Sequence, residues 1–399
     1  MSTTADDKVL IVGAGIAGLT SALALTRRGV PVTVVDQAPA ASPYGGGLQV
    51  WLNAALSLRR IGLLTQLEEV GVGVERQVFQ SARGRTLITV PVGDLARRKG
   101  IPQPLMVTRP DLLRTLEEAL PEGVVRWNSG LVGFEQDDDG VTARFADGSE
   151  ERAAVLVGAD GLTSAVRTTL FPGSIPVYAG YQYLRCLMPY DGFPEGDFVF
   201  MIGRGDRFGV HDAPRGQVYW FGVIVTPQGA GDGRKDELRA RFADFPQVVH
   251  DVLESAEEAM ISRTDVCDID PLDRWSDGRV TLAGDAAHAM TPNMGRGAGE
   301  AIEDSLTLAE CLGEPRVLSD RARLAQALAG YEERRRPATG ALQRRSRQIG
   351  QRLSARNPAA VRVRETLMRT FASRGMLKGI EAECDELAAA PTSPIAAPT

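Results

Sequence analysis

Four consecutive apolar residues, Val9 to Val12, run into Gly13-Ala-Gly15-Ile-Ala-Gly18; apolar positions then recur at helical spacing, and a second apolar run, Val32-Thr-Val-Val35, stops at Asp36. That order predicts a buried strand, a tight turn, a helix over about residues 17–28 and a second strand. A loop rich in proline and glycine follows at 39–47, then Leu48 to Trp51 and a helix holding Leu56, Leu58 and Leu63. Leu105 to Thr108 reads as a strand, and Arg109-Pro110 opens a helix whose Leu112, Leu113, Leu116 and Leu120 share one face. Runs at 124–127, 131–135 and 141–145, punctuated by Asp137-Asp-Asp-Gly140 and Asp147-Gly148, predict a small antiparallel meander; 154–158 then returns to the main sheet. From about 177 to 269 the pattern changes to strands such as 198–202, 207–211 and 217–225, with Gly and Pro turns and one short helical interlude, which predicts a second sheet. A buried strand at 279–283 comes next, and beyond Gly299 the chain reads as mostly helical to about 390. The last residues, 391–399, are too rich in proline to pack and are expected to be disordered. No internal repeat is visible.

The opening strand, turn, helix and strand form a βαβ unit of the length that a dinucleotide needs. Gly13 permits the tight turn, Gly15 lets backbone approach a pyrophosphate, and Gly18 lets the helix pack closely on the sheet. Unpaired N–H groups at the helix start favour the phosphate charge, and Asp36 can accept hydrogen bonds from a ribose. The glycines of 45–47 must likewise bring backbone close to something.

With 399 residues, 43% of them hydrophobic and 24% charged, the chain can bury a large core and reads as about two domains. A net charge of -6, with no long Lys/Arg block, argues against a nucleic-acid partner. The apolar stretch from Val9 to Leu25 follows Asp6-Asp7 and carries the glycines of the turn, so it is neither a signal nor a stable membrane insertion. Cys186, Cys267, Cys311 and Cys384 form no C-x-x-C pair, which suits a reducing cytoplasm, and no metal-spaced His/Cys cluster appears.

Two more strand-to-helix junctions carry chemistry. Gly158-Ala-Asp160-Gly161 leads through Ser164 to Arg167, and Gly284-Asp285-Ala-Ala-His288 precedes Pro292-Asn-Met-Gly295-Arg296-Gly297. Asp285 can approach a ribose or ribityl hydroxyl, and the N–H groups after Pro292 can stabilise an anion such as the N1–C2=O edge of a reduced flavin. An aspartate after a strand is also an ordinary helix cap.

The nucleotide turn, the Gly-Ala-Asp-Gly segment and the Gly-Asp-Ala-Ala-His segment, in this order over nearly the whole chain, resemble the single-component FAD-dependent aromatic hydroxylases of the para-hydroxybenzoate hydroxylase type. The resemblance implies an α/β fold. A Rossmann-like FAD-binding domain (1–73, 100–176 and 271–390, including C-terminal helices) would carry an inserted, mostly antiparallel substrate domain (74–99 and 177–270). It implies that Asp36 contacts the adenosine ribose, Arg109 the pyrophosphate or ribityl region, and Asp285 the ribityl-pyrophosphate portion. Asp160 would lie where the family handles FAD and reduced nicotinamide together, and Gly295 and Gly297 would line the isoalloxazine. Ala17, Gln37, Leu131, Val132 and Pro292 complete the expected cofactor set. Two departures from the family stand out: Asp36 where Glu is usual, and Arg296 where Gln is common. Arg296 either stabilises anionic reduced flavin or pairs with a carboxylate such as Glu300 one turn on.

The implied activity is a monooxygenase that takes electrons from NADPH or NADH. It would form a flavin C4a-hydroperoxide with O2 and hydroxylate or epoxidise an aromatic or polyketide-like small molecule, working as a monomer or homodimer. The cofactor carries the bond-making chemistry, so no nucleophile or metal is required of the protein. Alternation along Arg207-Phe-Gly-Val-His211 points 207, 209 and 211 to one face. Arg207 and Tyr219 are therefore candidates for orienting substrate, and His211 for accepting a phenolic proton. His288 reads as structural. Halogenation on the same fold goes with a W-x-W-x-I-P segment and a lysine near the substrate. Trp51, Trp127, Trp220 and Trp275 form no such segment, and lysines stand only at 8, 99, 235 and 378. A non-catalytic flavin-binding sensor is the other alternative.

Overall fold

In the computed structural model, which describes residues 8–43, 45–231 and 234–389, the two opening apolar runs are neighbouring parallel strands, Val9–Val12 and Val32–Val35. Val155–Gly158 and then Val280–Leu282 extend the sheet on one side, and Val125–Arg126 extends it on the other, all in parallel. The central strands Val9–Val12 and Val155–Gly158 are buried at every position, which is why they read as unbroken apolar runs rather than as alternation. Helix Ile16–Thr26 crosses between the first two strands and packs against helix Gly297–Leu312. It stops two residues short of the expected end, because the chain turns through Gly29 at φ +74°.

Three sequence expectations are corrected here. The segment expected to open the meander, Val125–Arg126, arrives by a helical crossover from Leu105–Thr108 and joins the parallel sheet; the meander is Leu131–Gln136, Val141–Phe145 and Glu150–Ala153. The helix expected to hold Leu56, Leu58 and Leu63 is two, Leu52–Arg60 and Leu64–Val70, broken at Gly62 with φ +62°. The single helical interlude of the second sheet is also two helices, Lys235–Arg241 and Gln247–Ser255. The tail at 391–399 lies outside the described residues.

The second sheet has seven strands among the described residues, in the order Ser262–Asp268, Val177–Pro189, Gln217–Val225, Arg207–Ala213, Asp197–Ile202, Arg76–Ser81 and Thr86–Val90. One face buries Leu184, Cys186, Trp220, Phe208 and Met201 against Leu238, Phe242, Val249 and Val252 of the two short helices. The other face, displaced by one residue along each strand, carries Tyr183, Phe221, Tyr219, Arg207, His211, Phe198, Phe200 and Phe79. Helix Arg321–Leu353 passes through Pro337, and the last described helix, Ser373–Ala389, returns to pack Ile380 and Cys384 among Leu52, Ile88, Met106 and Tyr219.

Candidate active site

Four parallel strands end side by side, and their C-terminal ends deliver Gly13, Asp36, Asp160 and Asp285 to one crevice, where open parallel sheets present ligand sites. Gly13 sits at φ +107°, and a Cβ there would lie 2.4 Å from the Ala159 carbonyl oxygen; the turn passes too close to the next strand for any side chain. At Gly18 a Cβ would meet the Gly13 oxygen at 1.8 Å, so this glycine sets helix against turn. Gly15 differs: a Cβ there meets nothing within 4 Å. Ala17 is packed beside this turn, its Cβ 2.8 Å from where a Gly284 side chain would start.

Asp36 is held by its own turn. Its Oδ2 accepts from Ala14 N at 2.7 Å and its Oδ1 from Ala38 N at 2.8 Å. Gln37 lies against Gly130, and backbone bonds from Asn128 and Ser129 tie residues 36–38 to the start of the meander, which brings half-buried Leu131 into the neighbourhood. Val132 stands on the opposite face of that strand and is 67% exposed. Its side chain is turned away from Leu131, so only its backbone remains available to a ligand beside Gln37.

Asp160 is in part an ordinary helix cap: Oδ2 accepts from Ala165 N and Val166 N at 2.8 and 3.2 Å. Its Oδ1, however, is buried without a protein partner. Arg167, fully buried, ties this turn to the next one. Its guanidinium donates to the Gly161, Leu162 and Ser174 oxygens and, at 3.1 Å, to Ala286 O in the Asp285–His288 turn. Behind that turn, Asp304 accepts from Gly284 N at 2.9 Å, His288 Nε2 at 2.5 Å and Arg335 Nε at 2.7 Å. Burial alone would raise the Asp304 carboxyl, but His288 and Arg335 outweigh it and hold it at about 2. His288 is correspondingly raised: burial opposes its charge and Asp304 overrides the burial. Asp285 itself is exposed at the mouth of the turn. Pro292 opens a single 3-10 turn, Gly295 follows at φ +63° with open space where a Cβ would stand, and Gly297 is the first residue of its helix. Arg296 is paired: Nη1 reaches Glu383 Oε1 at 2.5 Å and Nη2 stands 3.5 Å from Glu300 Oε1.

The glycine loop does approach something. Arg109 N donates to Gly46 O at 3.0 Å, and a Cβ on Gly46 or Gly47 would strike the Tyr219 ring at 2.8 or 2.6 Å. Tyr219 thus links the cofactor-side loop to the aromatic face of the second sheet. There, His211 pairs across strands with Tyr219 and Phe198, and its ring stacks on Phe198 with centroids 5.2 Å apart. His211 Nδ1 lies 2.8 Å from the Asp212 carbonyl, so Nδ1 is the donor and the neutral ring presents a bare Nε2, buried and without partner. Burial pushes this imidazole down to about 4 and the Tyr219 phenol up to about 12. Arg207 is 0% exposed, with its guanidinium 4.8 Å above the Tyr181 ring. Its Nη1 makes only long contacts of 3.5 Å to Asn293 Oδ1 and Gly350 O, while Nε and Nη2 have no partner. Burial pushes it down to about 10. A buried cation without a carboxylate is costly and marks a place where an anion or strong acceptor would be welcome.

Arg167, Asp304, Arg335, Glu383 and the phenylalanines at 198, 200 and 221 were not singled out as site residues from the sequence. Arg167 belongs to the same run as Asp160; the others meet their partners only through the fold. A separate groove of about 770 Å³ runs between the turn at 136–138, residues 274–279 and the long helix. Two of its arginines are ion-paired, Arg274 to Asp277 and Arg321 to Asp138, and a third, Arg279, donates to the Asp138, Ala154 and Leu318 carbonyls.

The described cradle fits a dinucleotide: free space at Gly15 and Gly295, an exposed Asp285 and an unsatisfied Asp160 oxygen line one crevice. Comparison with known proteins points the same way. A family model described as an FAD binding domain matches residues 6–346. Aurachin C monooxygenase/isomerase of Stigmatella aurantiaca is 35% identical over 92% of this chain and 94% of its own length. A 3-amino-4-hydroxybenzoate 2-monooxygenase of Streptomyces platensis is 36% identical over 91% of this chain and 92% of its own. Among solved structures, Klebsiella pneumoniae HpxO complexed with FAD and uric acid superposes with a TM-score of 0.85 at 26% identity, covering 96% of this chain and 97% of that one. No helix among the described residues is long and apolar enough to cross a membrane.

Proposed function

The chain belongs to the FAD binding domain family of flavin-dependent monooxygenases, and from that premise we propose that it hydroxylates a flat aromatic molecule bound between the cofactor crevice and the aromatic face of the seven-stranded sheet. The observation that carries this reading is the pairing, on one face, of a fully buried cation with open donors, Arg207, and a neutral imidazole with a bare acceptor, His211. Four residues along a strand separate their backbones by about 13 Å. Between them Gly209 leaves the floor to the Phe221 ring, which lies 2.3 Å from where a Cβ would stand. The complement is a planar substrate, aromatic or polyketide-like, with an anionic or strongly accepting group for Arg207 and an O–H or N–H for His211. The substrate named for the Streptomyces relative, an amino-hydroxybenzoate, is of this chemical kind.

Gly15 would leave room for the pyrophosphate of FAD, Asp36 would hold the adenosine ribose and Asp285 the ribityl-pyrophosphate portion, and Gly295 and Gly297 would line the ring. When bound, FAD supplies the activation of O2 with electrons from NADPH or NADH. The protein's own part is placement. Arg207 fixes and polarises the accepting end of the substrate. His211, neutral across the physiological range, accepts a hydrogen bond from the hydroxyl and makes the ring more electron-rich. The Tyr219 ring, wedged on Gly46 and Gly47, closes the side toward the cofactor loop and excludes water. The free cysteines suit work in a reducing cytoplasm.

The test is a screen of hydroxylated benzoates and other flat hydroxylated aromatics for stimulation of NADPH or NADH oxidation by the purified yellow protein, with product masses determined. A product one oxygen heavier supports the reading. Stimulation that responds only to halide and gives a halogenated product would replace it.

A further inference from the structure

Glu383 stands on the last described helix, far in sequence from the cofactor crevice, yet its Oε1 accepts from Trp51 Nε1 at 3.0 Å and from Arg296 Nη1 at 2.5 Å. Arg296 stands between Gly295, which closes the 3-10 turn, and Gly297, the first residue of helix Gly297–Leu312. Its second contact, Glu300, is already engaged: Oε2 of Glu300 accepts from Arg335 Nη2 at 2.7 Å, and the Arg296 distance to Oε1 is a long 3.5 Å. Glu383 is therefore the principal counter-charge of Arg296. The pair is largely shielded from solvent, with side chains 17% and 25% exposed, so its field is only partly screened. The carboxylate comes from an element that also packs Ile380 and Cys384 into the apolar cluster around Tyr219.

We propose that Glu383 is a positioning residue that sets how much positive charge the flavin ring experiences, by holding and neutralising Arg296. The inference rests on the reading that FAD fills the crevice with its ring along Gly295–Gly297. A flavin that accepts a hydride gains two electrons and one proton; with no second proton taken up, it carries one more negative charge than before. An unbalanced guanidinium beside it would favour that reduced form, and a balanced one would not. Because the balancing carboxylate sits on the helix at 373–389, the charge environment of the crevice is complete only when that helix is seated beside Tyr219 and Thr86–Val90.

The experiment compares the flavin midpoint potential of purified holoenzymes: wild type, Glu383→Gln, Arg296→Gln and the double variant. Amide hydrogen exchange across 373–389 is followed in parallel. Glutamine at 383 keeps an acceptor for Trp51 while removing the charge, so helix protection should match wild type. Glu383→Gln should raise the potential, with about a two- to fivefold greater preference for reduced flavin, as expected for a partly screened charge. Arg296→Gln should lower it, and the double variant should return close to wild type, a pattern that a purely mechanical role cannot produce. Unchanged potentials in both single variants, or shifts of the same sign, overturn the inference. If Glu383→Gln instead loosens the helix, the sign of the Arg296→Gln shift decides alone: a fall supports the inference and its absence overturns it. A folded wild-type protein that holds no FAD overturns the crevice reading first, a failure visible before any titration.

Discussion

Among single residues, Gly13 and Gly15 show how two members of one motif differ in kind. Gly13 is required by the protein itself, by φ +107° and a backbone oxygen 2.4 Å from any Cβ. Gly15 has an ordinary extended conformation, φ -83° and ψ -170°, and free space beside it. Gly13→Ala should therefore destabilise the fold by about 1–3 kcal/mol. Gly15→Val should leave the melting temperature of the apoprotein nearly unchanged while cofactor content after purification falls sharply. Denaturation curves and absorbance near the flavin bands separate the two, and full FAD retention by folded Gly15→Val would count against the crevice. Both glycines are legible in the sequence because their motif is local. His211 was legible as a candidate, but its tautomer and depressed basicity depend on burial and on the Asp212 carbonyl. Held at about 4 against an ordinary value near 6.5, it binds a proton in the unfolded chain before it does so in the folded one. The stability that this contributes is present above about pH 6.5 and is lost as pH falls toward 4, up to about 3 kcal/mol in all. A folded His211→Gln variant should show a shallower loss of stability over that acid window, measured by urea denaturation at several pH values. Equal slopes would mean that the imidazole is better solvated than its surroundings suggest.

At the scale of elements, the turn Asp285–His288 and the helix Gly297–Leu312 are joined from behind by Asp304, which satisfies Gly284 N, His288 and Arg335 at once. Asp304→Asn removes the charge that both cations face and leaves Arg335 with Glu300 and Glu303 alone. Breaking a buried ion network in this way costs about 3–5 kcal/mol. FAD affinity should fall as well, since the Gly284 turn loses a charged acceptor. A urea midpoint equal to wild type would show that the remaining carboxylates compensate. The elements themselves were mostly readable. Strands buried on both faces announce themselves as apolar runs, and alternation over 207–211 correctly separates the two faces of the second sheet. What could not be read was partnership. Val125–Arg126 has the same local look as a meander strand, and only the crossover helix before it decides that it lies parallel beside Val32–Val35. Asp304 lies four residues after Glu300 on one helix, with nothing in its spacing to announce a histidine on one side and an arginine on the other.

For the whole molecule, the chain's last described helix packs against the edge of the aromatic face, beside Thr86–Val90 and Tyr219. Ile380→Asp would bury a charge in the cluster with Ile88 and Tyr219, and the expected result is a loosened helix over an otherwise intact crevice. Such a variant should keep its FAD while substrate-stimulated NAD(P)H oxidation shifts from product toward hydrogen peroxide, measured as the ratio of peroxide to cofactor oxidised. Wild-type coupling with a demonstrably mobile helix would mean that water exclusion comes from elsewhere. The overall type was legible because three separated motifs occur in a fixed order, and the matched relatives, monooxygenases by name, agree with it. The seat of the last helix was not, because its apolar stripe fits many surfaces equally well.

The order in which the ribosome releases this chain gives the parallel sheet a further consequence. Val9–Val12, the first strand to emerge, must wait for Val155–Gly158 on one flank, and that strand must wait for Val280–Leu282 before the sheet gains its last neighbour. Glu383 leaves the tunnel about a hundred residues later still. A nascent chain therefore holds an unfinished sheet and a bare edge of the aromatic face through most of its synthesis, and a chain halted shortly before its end has every glycine of the cradle but lacks the last described helix. Premature termination shortly before residue 373 would be expected to yield a flavin-binding polypeptide that wastes reductant.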